Sequence, residues 1–313
     1  MDALDDVLDL LRVRGSLLGS VRAGSSWGLR LPAIHDAVFH AVLDGTVFLQ
    51  VGSDEPRRLR AGDIVLLPTG RAHVLASDSH APVRLLDHQV KACERDSHGN
   101  ILIGGRGDES RFLCATYEYD RQVRHPLLAA LPDTLIIHAD DVPPERGVSF
   151  EQSVLKLLEN ELSHARPAQE LAMNRMIDLL FVHVIRAWID RSEVESGWWR
   201  GFKDPIVGVV LAQLHERPHE AWTLERLGRD VNASRATLTR RFGATIGMSP
   251  LAYLAQWRLE LAARELRDTD APVGAIAHGV GYASEFAFSR AFARARGVAP
   301  GRYRSLSRVQ LAG

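Results

Sequence analysis

A chain of 313 residues, 46% hydrophobic and 25% charged, has room for two globular domains, and its composition excludes a disordered chain or a bundle of membrane spans. The net charge of −1 excludes a uniformly basic protein, but from Lys203 onward 16 Lys and Arg face 10 Asp and Glu, so only this part suits a polyanion. With two cysteines, Cys93 and Cys114, and an acidic start instead of a secretory signal, we expect free thiols in a cytoplasmic protein.

Short β segments are expected in the first part of the chain. The segment 38–51 has two apolar runs around Asp44-Gly45, which predicts a hairpin. The segment 58–75 predicts an apolar strand between two glycine-containing turns, and 111–120 predicts a further strand. Strands this short and evenly spaced are typical of a sandwich or barrel.

Helical periodicity replaces this pattern from residue 150. Apolar residues recur at helical spacing up to about residue 190, and Pro167 divides them into two helices. The pair is expected either to cap the β domain or to form a dimer interface. The composition of 191–204 predicts a linker.

Two helix-turn-helix units are predicted in the last third, over 223–246 and 273–296. Each second helix opens on a serine suited to N-capping, Ser234 or Ser284, and ends before a glycine. An uninterrupted helical period over 250–269 predicts a rigid helix between the two units. Two matching units indicate a DNA reader rather than a basic helical bundle.

The second helix of each unit must bury one face and offer the other to the major groove. Arginine can form two hydrogen bonds with guanine, and small or apolar side chains suit thymine methyl groups. The outward positions are expected to be Arg235, Ala236, Thr239, Arg240, Glu285, Phe286, Ser289 and Arg290. Phosphate contacts are expected from Arg258, Arg294, Arg296 and Arg304.

The last third of the chain resembles the AraC/XylS family of bacterial transcription regulators. The segment IAHGVGYASEFAFSRAFARARGVAPGRYR (276–304) resembles the family signature, as do WTLERLGRDVNASRATLTRRF (222–242) and MSPLAYLAQWRLELA (248–262). The resemblance implies a cytoplasmic activator or repressor that binds promoter DNA and contacts RNA polymerase. Ala236 and Phe286 depart from the residues common in relatives, so the bases that are read are expected to differ.

The segment GDIVLLPTGRAH (62–73) fits the second motif of cupin barrels, while the first motif is partial: His35 and His40 are present without the glutamate. The front part also resembles the cupin-like sensor domains of some members of the same family, through WGLRLP (27–32), FHAVLDG (39–45), LCATYEYD (113–120) and HPLLAALP (125–132).

Three kinds of signal are open for this front domain. A small effector would lie beside Trp27 and Phe39. A metal ion would bind His40 and His73, joined by Cys114 or His125. A thiol sensor would use Cys114 with a nearby imidazolium favouring the thiolate.

The resulting prediction is an α+β two-domain chain: a cupin-like β-barrel with a helical hairpin, followed by an all-α double helix-turn-helix domain. The boundaries are 1–149 for the sensor, 150–203 for hairpin and linker, 204–304 for the DNA-binding domain and 305–313 for a tail. The function is sequence-specific transcription regulation without an enzymatic step or a required cofactor. A metal-dependent cupin enzyme and a protein-interaction module are the competing classes.

Overall fold

The computed structural model divides by its contacts into two compact units, which are taken separately. One unit contains the strands and the helical hairpin, and the other contains the N-terminal helix and the C-terminal helices. The described residues are 3–85, 95–96, 100–105, 107, 110–120, 123, 131–141, 149–164, 166–191 and 198–311.

The strands of the first unit form two facing sheets. Within the described residues, one sheet has the order β11-β6-β3-β10-β1-β9 and the other β5-β4-β7-β2-β8. The strands are β1 (Arg14–Ala23), β2 (Gly28–Leu31), β3 (Ala37–Asp44), β4 (Thr46–Val51), β5 (Arg57–Arg60), β6 (Ile64–Leu67), β7 (His73–Ala76), β8 (Arg84–Leu85), β9 (Ile101–Ile103), β10 (Ser110–Glu118) and β11 (Leu135–Ile137).

The helices of the described residues follow in chain order, and a 3-10 turn lies at Ala139–Asp141. They are α1 (Ala3–Leu11), α2 (Phe150–Leu162), α3 (Gln169–Arg191), α4 (Trp198–Lys203), α5 (Val207–Glu216), α6 (Leu224–Asp230), α7 (Arg235–Ile246), α8 (Pro250–Asp268), α9 (Val273–Gly279), α10 (Glu285–Arg296) and α11 (Pro300–Leu311). No described helix is both long and apolar enough to cross a lipid bilayer.

The barrel core lies between the two sheets and is built from alternate strand residues. β4 alternates half-buried and buried positions, with Val47, Leu49 and Val51 pointing inward. Trp27 stacks on Phe112 with ring centroids 5.3 Å apart. Apolar burial of this kind is the main stabilising contribution to a sheet sandwich.

The predicted hairpin at Asp44-Gly45 is wrong, because the two strands that it joins lie in different sheets. β3 pairs with β10 and β6, whereas β4 pairs with β5 and β7. Gly45 has a φ of 74° at the crossing between the sheets. The local turn signal therefore gave the position of the bend but not the partner of either strand.

The predicted helical hairpin is confirmed and covers the outer face of the six-stranded sheet. The Ser149 hydroxyl accepts from Gln152 N and the Gln152 side chain accepts from Ser149 N, so a capping box starts α2. The backbone of β1 at Gly15 donates to Asp178 Oδ1 on α3 at 2.6 Å. A Cβ at Gly15 would lie 2.4 Å from Ile177 Cγ2, so this glycine permits the close approach of helix and strand.

The C-terminal unit contains both predicted helix-turn-helix units. α6 and α7 form the first, α9 and α10 the second, and α8 runs between them as expected. Ser234 and Ser284 accept hydrogen bonds from the backbone of Thr237 and Ala287 and so cap α7 and α10. Both helices end at a left-handed glycine, which is Gly247 in the first unit and Gly297 in the second.

Two segments differ from the expected organisation. The second half of the expected linker forms α4, which packs against α5 and α7. Gly201 makes this possible, because a Cβ there would lie 2.6 Å from Ile246 Cδ1. Helix α1, which the sequence places with the sensor, instead packs against α5 with its residues Leu4, Val7 and Leu10 buried.

Candidate DNA-reading surface and sensor core

Helix α7 buries one face and exposes the opposite one. Leu238, Phe242 and Ile246 are buried, as their spacing predicts. Of the expected reading residues, Arg235, Ala236 and Arg240 are exposed, and Thr239 is half-buried. Arg235 donates to Glu225 Oε1 at 2.5 Å, and both side chains are solvent-accessible, so this ion pair can open at little energetic expense.

Helix α10 repeats this division with a different reading face. Phe288 and Phe292 are fully buried against each other. Phe286 lies on the opposite side and is 71% exposed, with the Arg290 guanidinium 5.7 Å from the centre of its ring. Glu285 is also exposed and Ser289 is half-buried. The structure therefore brings all four expected residues to the solvent side of α10.

The arginines expected at phosphates fall into two groups. Arg258 donates to the carbonyls of Pro218 and Glu220 at 2.6 and 2.7 Å, and Arg304 donates to the carbonyls of Leu266 and Ala271 at 3.2 and 2.5 Å. Arg296 forms a buried ion pair with Glu260 at 2.6 Å. These three side chains hold loops and helices together. Arg294 differs from them because it is exposed.

Helix α8 runs between the two helix-turn-helix units. It is 19 residues long and starts at the Ser249 cap followed by Pro250. At 1.5 Å per residue it spans about 28 Å. Its buried residues include Tyr253, Trp257 and Leu266, so the core of the unit immobilises the helix along its length.

The barrel core holds a row of polar side chains between the two sheets, in which His40 and His73 are buried and Cys114 is partly buried. His40 Nε2 lies 2.8 Å from His73 Nε2, and His40 Nδ1 lies 3.2 Å from Cys114 Sγ. His73 Nδ1 lies 2.8 Å from the Arg71 carbonyl, which requires a proton on that nitrogen. Gly70 supports the preceding turn at a φ of 59°, and a Cβ there would lie 2.2 Å from the Asp36 carbonyl oxygen. The cupin-like motif therefore directs His73 inward.

The protonation states in this core follow from the burial of its titratable groups. Burial lowers the pKa of His40 well below its usual value, and the neighbouring His73 lowers it further. Burial also lowers the pKa of His73. Burial raises the pKa of the Cys114 thiol to about 12. The expectation that an imidazolium stabilises a Cys114 thiolate is therefore wrong, because the low dielectric disfavours both charged forms.

The same geometry limits a metal site. Cys114 and His73 contact opposite nitrogens of the His40 ring, so one ion cannot reach all three side chains in this arrangement. In the described part of the chain no three His, Cys, Asp or Glu residues form a group that could hold a metal ion. His35, from the partial first cupin motif, is exposed, and His125 lies outside the described residues.

Trp27 and Phe39 are both buried but face different layers. Trp27 belongs to the barrel core. The expected place of Phe39 in the barrel lining is corrected, since its ring lies 5.9 Å from Tyr117 on the face that α3 covers. Strand alternation explains this, because the adjacent His40 points inward.

Two glycine-rich segments of the barrel unit cross at a point that no predicted element included. Gly24 N donates to the Ile103 carbonyl and Gly105 N to the Ser25 carbonyl, both at 2.9 Å. A Cβ at Gly24 would lie 1.7 Å from the Gly105 carbonyl oxygen. The glycines in AGSSWG (23–28) and IGG (103–105) could have predicted this crossing, because glycine in a strand marks a close approach of backbones.

Comparison with known proteins agrees with both units. The cupin family model matches residues 2–190, and the helix-turn-helix domain model matches residues 227–305. A protein described as an AraC-like transcription regulator, from Streptomyces lividans, is 39% identical over 307 residues, which cover 97% of this chain and 98% of that protein. The chain belongs to the AraC-like transcription regulators.

Other relatives of this AraC-like regulator include the RCS-specific HTH-type transcriptional activator RclR of Escherichia coli (strain K12). It is 31% identical over 308 residues, which cover 97% of each chain. Among solved structures, the DNA-binding domain of AdpA in complex with a target DNA is 34% identical, and the match covers 34% of this chain and 96% of that one, with a TM-score of 0.33.

Proposed function

We propose that this AraC-like regulator reads DNA with α7 and α10, each placed in one of two successive major grooves on one face of the duplex. The observation that carries the proposal is the matched design of the two helices: a serine cap, a buried phenylalanine face and an exposed arginine, with α8 between them. Successive major grooves on one face are about 34 Å apart, and a rigid α8 of about 28 Å suits that separation.

The proposed contacts follow from the exposed side chains. Arg240 and Arg290 would each donate two hydrogen bonds to a guanine edge. Ala236 and Phe286 would contact thymine methyl groups, and Glu285 would accept from a cytosine amino group. Among the arginines expected at phosphates, exposed Arg294 is retained for that role, because Arg258 and Arg304 already donate to backbone carbonyls. Arg235, Thr239 and Ser289 complete the reading surface.

The barrel would act as the sensor of a small effector in the cytoplasm. An effector that binds one arrangement of the front domain better than another would shift the population of DNA-competent molecules. The regulator would contact RNA polymerase at the promoter and would act as a dimer through the hairpin. Exposure of Leu157, Leu171 and Leu179 on α2 and α3 supports a dimer, since large apolar side chains outside a core favour association.

The test is selection of bound sites from random DNA by the full chain, repeated with Arg240→Ala and Arg290→Ala. We expect a site with two short blocks about one helical turn apart, and each variant should degrade one block. An Arg302→Ala variant is the control, because this exposed arginine lies on α11 outside both reading helices. Salt-sensitive binding without sequence preference, unaffected by either variant, would contradict the proposal.

A metal-dependent enzyme and a thiol sensor are the alternatives for the barrel. The enzyme predicts stoichiometric iron or manganese after purification together with turnover. The thiol sensor predicts an oxidant response that Cys114→Ser removes without changing the affinity for DNA. No specific observation favours either alternative. For the thiol sensor, burial raises the pKa of the Cys114 thiol, which disfavours the reactive thiolate.

A further inference from the structure

The barrel unit contains a cavity of about 290 Å³ between its two sheets. Both sheets contribute apolar side chains to its lining, which include Leu29, Leu31 and Leu75 of the five-stranded sheet and Val21, Ile101 and Phe112 of the six-stranded sheet. Residues two apart on a strand point to the same face, so each of these strands turns its inner side toward the cavity. A molecule in this cavity would therefore contact both sheets.

Several apolar side chains of the barrel core are only partly buried, and most of them lie at this cavity. Among the described residues, six hydrophobic side chains of this kind pack against the core. Five of the six line the cavity, namely Leu29, Leu31, Ile101, Ile103 and Cys114. The sixth, Ile136, lies on β11 and is not part of the lining. A concave apolar surface of this kind favours a ligand that covers it, because burial of apolar surface is favourable.

The two remaining kinds of lining group, a thiol and a guanidinium, provide no buried charge. Cys114 is uncharged at neutral pH, because burial raises the pKa of its thiol to about 12. Arg95 is exposed, so solvent and salt screen its charge. A carboxylate or ammonium group placed between the sheets would lose its hydration without gaining a buried charge of opposite sign from the lining. The lining therefore selects against a charged ligand.

We propose that this cavity binds one uncharged apolar molecule, which lies against Phe112 between Leu31 and Ile101. An apolar cavity of about 150 Å³ in a protein can hold benzene, so about 290 Å³ admits a larger molecule of the size of an alkylbenzene. This assignment deepens the proposed sensor function and rests on it for the link between binding and DNA affinity. Because the ligand contacts both sheets, its binding favours one packing of the sheets over others.

The experiment is titration calorimetry of the full chain with propylbenzene and with 3-phenylpropanoate, in which a carboxylate replaces the terminal methyl group. We expect propylbenzene to bind at one site per chain. The anion should bind about tenfold more weakly or worse, because its carboxylate would have to leave water. Absence of saturable propylbenzene binding, or equal or tighter binding of the anion, would overturn the inference.

Two variants fill the cavity from opposite sheets, so that the test does not depend on the folding of one of them. Leu31→Phe on β2 and Ile101→Phe on β9 each replace a half-buried side chain by a larger ring. Each should weaken propylbenzene binding about tenfold, since the new ring occupies the space of the ligand. Unchanged binding by both variants would contradict the assignment of the site.

Ile136→Phe is the matched control. Ile136 is half-buried against the same core, and its strand β11 lies at the edge of the six-stranded sheet opposite to the strand of Ile101. This variant makes the same kind of substitution outside the cavity lining and should bind propylbenzene as the unmodified chain does. Equal weakening by the control and by the two cavity variants would also overturn the inference.

Gel shifts with and without propylbenzene separate this inference from the proposed function. A chain that binds propylbenzene with unchanged DNA affinity confirms the cavity as a binding site and contradicts the sensor role alone. Selection of a DNA site needs no ligand, so a chain that selects its site but does not bind propylbenzene refutes this inference alone. The reverse result refutes the proposed DNA reading alone.

Discussion

Phe286 shows how a single side chain can define part of a DNA site. A phenylalanine that is 71% exposed contributes little to folding, while its neighbours Phe288 and Phe292 form the core of the same helix. Its ring lies beside the Arg290 guanidinium, so the two side chains would meet adjacent base pairs. The pair fits a thymine methyl next to a guanine edge.

We therefore expect Phe286→Ala to lower the affinity for the selected site about fivefold or more and to relax the preference for thymine at one position. Quantitative gel shifts on the selected site and on single-base variants measure both effects. Leu306→Ala removes a similarly exposed apolar side chain on α11 and should leave affinity unchanged. Retained thymine preference in the Phe286→Ala variant would contradict this role.

The buried imidazoles of His40 and His73 predict a dependence of stability on pH. Burial lowers the pKa of both groups in the folded protein, whereas in the unfolded chain a histidine titrates near its ordinary value of about 6.5. The unfolded chain thus binds more protons below about pH 7. The contribution of the two histidines to the free energy of unfolding is therefore fully present above that pH. It decreases as the pH falls, by up to about 1.4 kcal/mol per pH unit for each histidine.

Urea unfolding of the front domain at pH 7.5 and 5.5 measures this effect. We expect His40→Gln, which keeps a polar side chain but cannot titrate, to show a smaller loss of stability between the two pH values than the unmodified chain. His35→Gln is the control, because His35 is exposed and should not change the slope. If all three proteins lose the same stability between pH 7.5 and 5.5, the core histidines do not become charged on unfolding.

At the scale of elements, α1 is the least expected component of the C-terminal unit. Its carboxylate Asp6 lies 3.3 Å from His215 Nδ1, and His215 Nε2 lies 2.6 Å from the Tyr253 hydroxyl. Asp9 pairs with Arg264 at 2.9 Å. Helix α1 thus packs on the rest of the C-terminal unit through polar contacts as well as through its buried apolar face. A fragment that starts at residue 204 lacks this helix and both kinds of contact.

Val7→Asp tests the apolar part of this packing. Val7 is fully buried, so the substitution places an unpaired charge in the core, and we expect the C-terminal unit to lose about 3 kcal/mol or more of stability. Asp9→Asn on the same helix is the control. Its carboxylate is 78% exposed, so the loss should stay within about 1 kcal/mol. Thermal unfolding followed by circular dichroism compares the variants, and equal midpoints would place α1 outside the cooperative unit.

Secondary-structure elements differ in how well the residues near them in sequence predict their position and pairing. The helix-turn-helix units were predictable because a cap, an apolar stripe and a left-handed glycine all lie within about 14 residues of one another. Strand pairing was less predictable. Asp44-Gly45 marks a turn correctly, but whether β4 folds back on β3 or crosses to the other sheet depends on β5, β7 and β10.

At the scale of the whole molecule, the hairpin of α2 and α3 is the surface expected to join two copies. Leu157 is 57% exposed and Leu171 is 58% exposed, while the opposite sides of these helices cover the barrel. Leu157→Glu should therefore shift a dimer toward the monomer mass in light scattering. Lys156→Glu, at the adjacent exposed position, should not do so. A monomer mass in the unmodified chain would remove the hairpin dimer from the proposed mechanism.

The sequence by itself determined the order of the β-rich and helical regions, the barrel class, and the second helix of each helix-turn-helix unit with its outward face. These features depend on periodicity, caps and turn residues, which are local properties of the chain. Only the tertiary structure decided that Arg258 and Arg304 donate hydrogen bonds to backbone carbonyls and that Phe39 faces α3. The reason is physical: a side chain's partner, dielectric surroundings and unused hydrogen bonds are set by residues far away in sequence, and they exist only once the chain has folded.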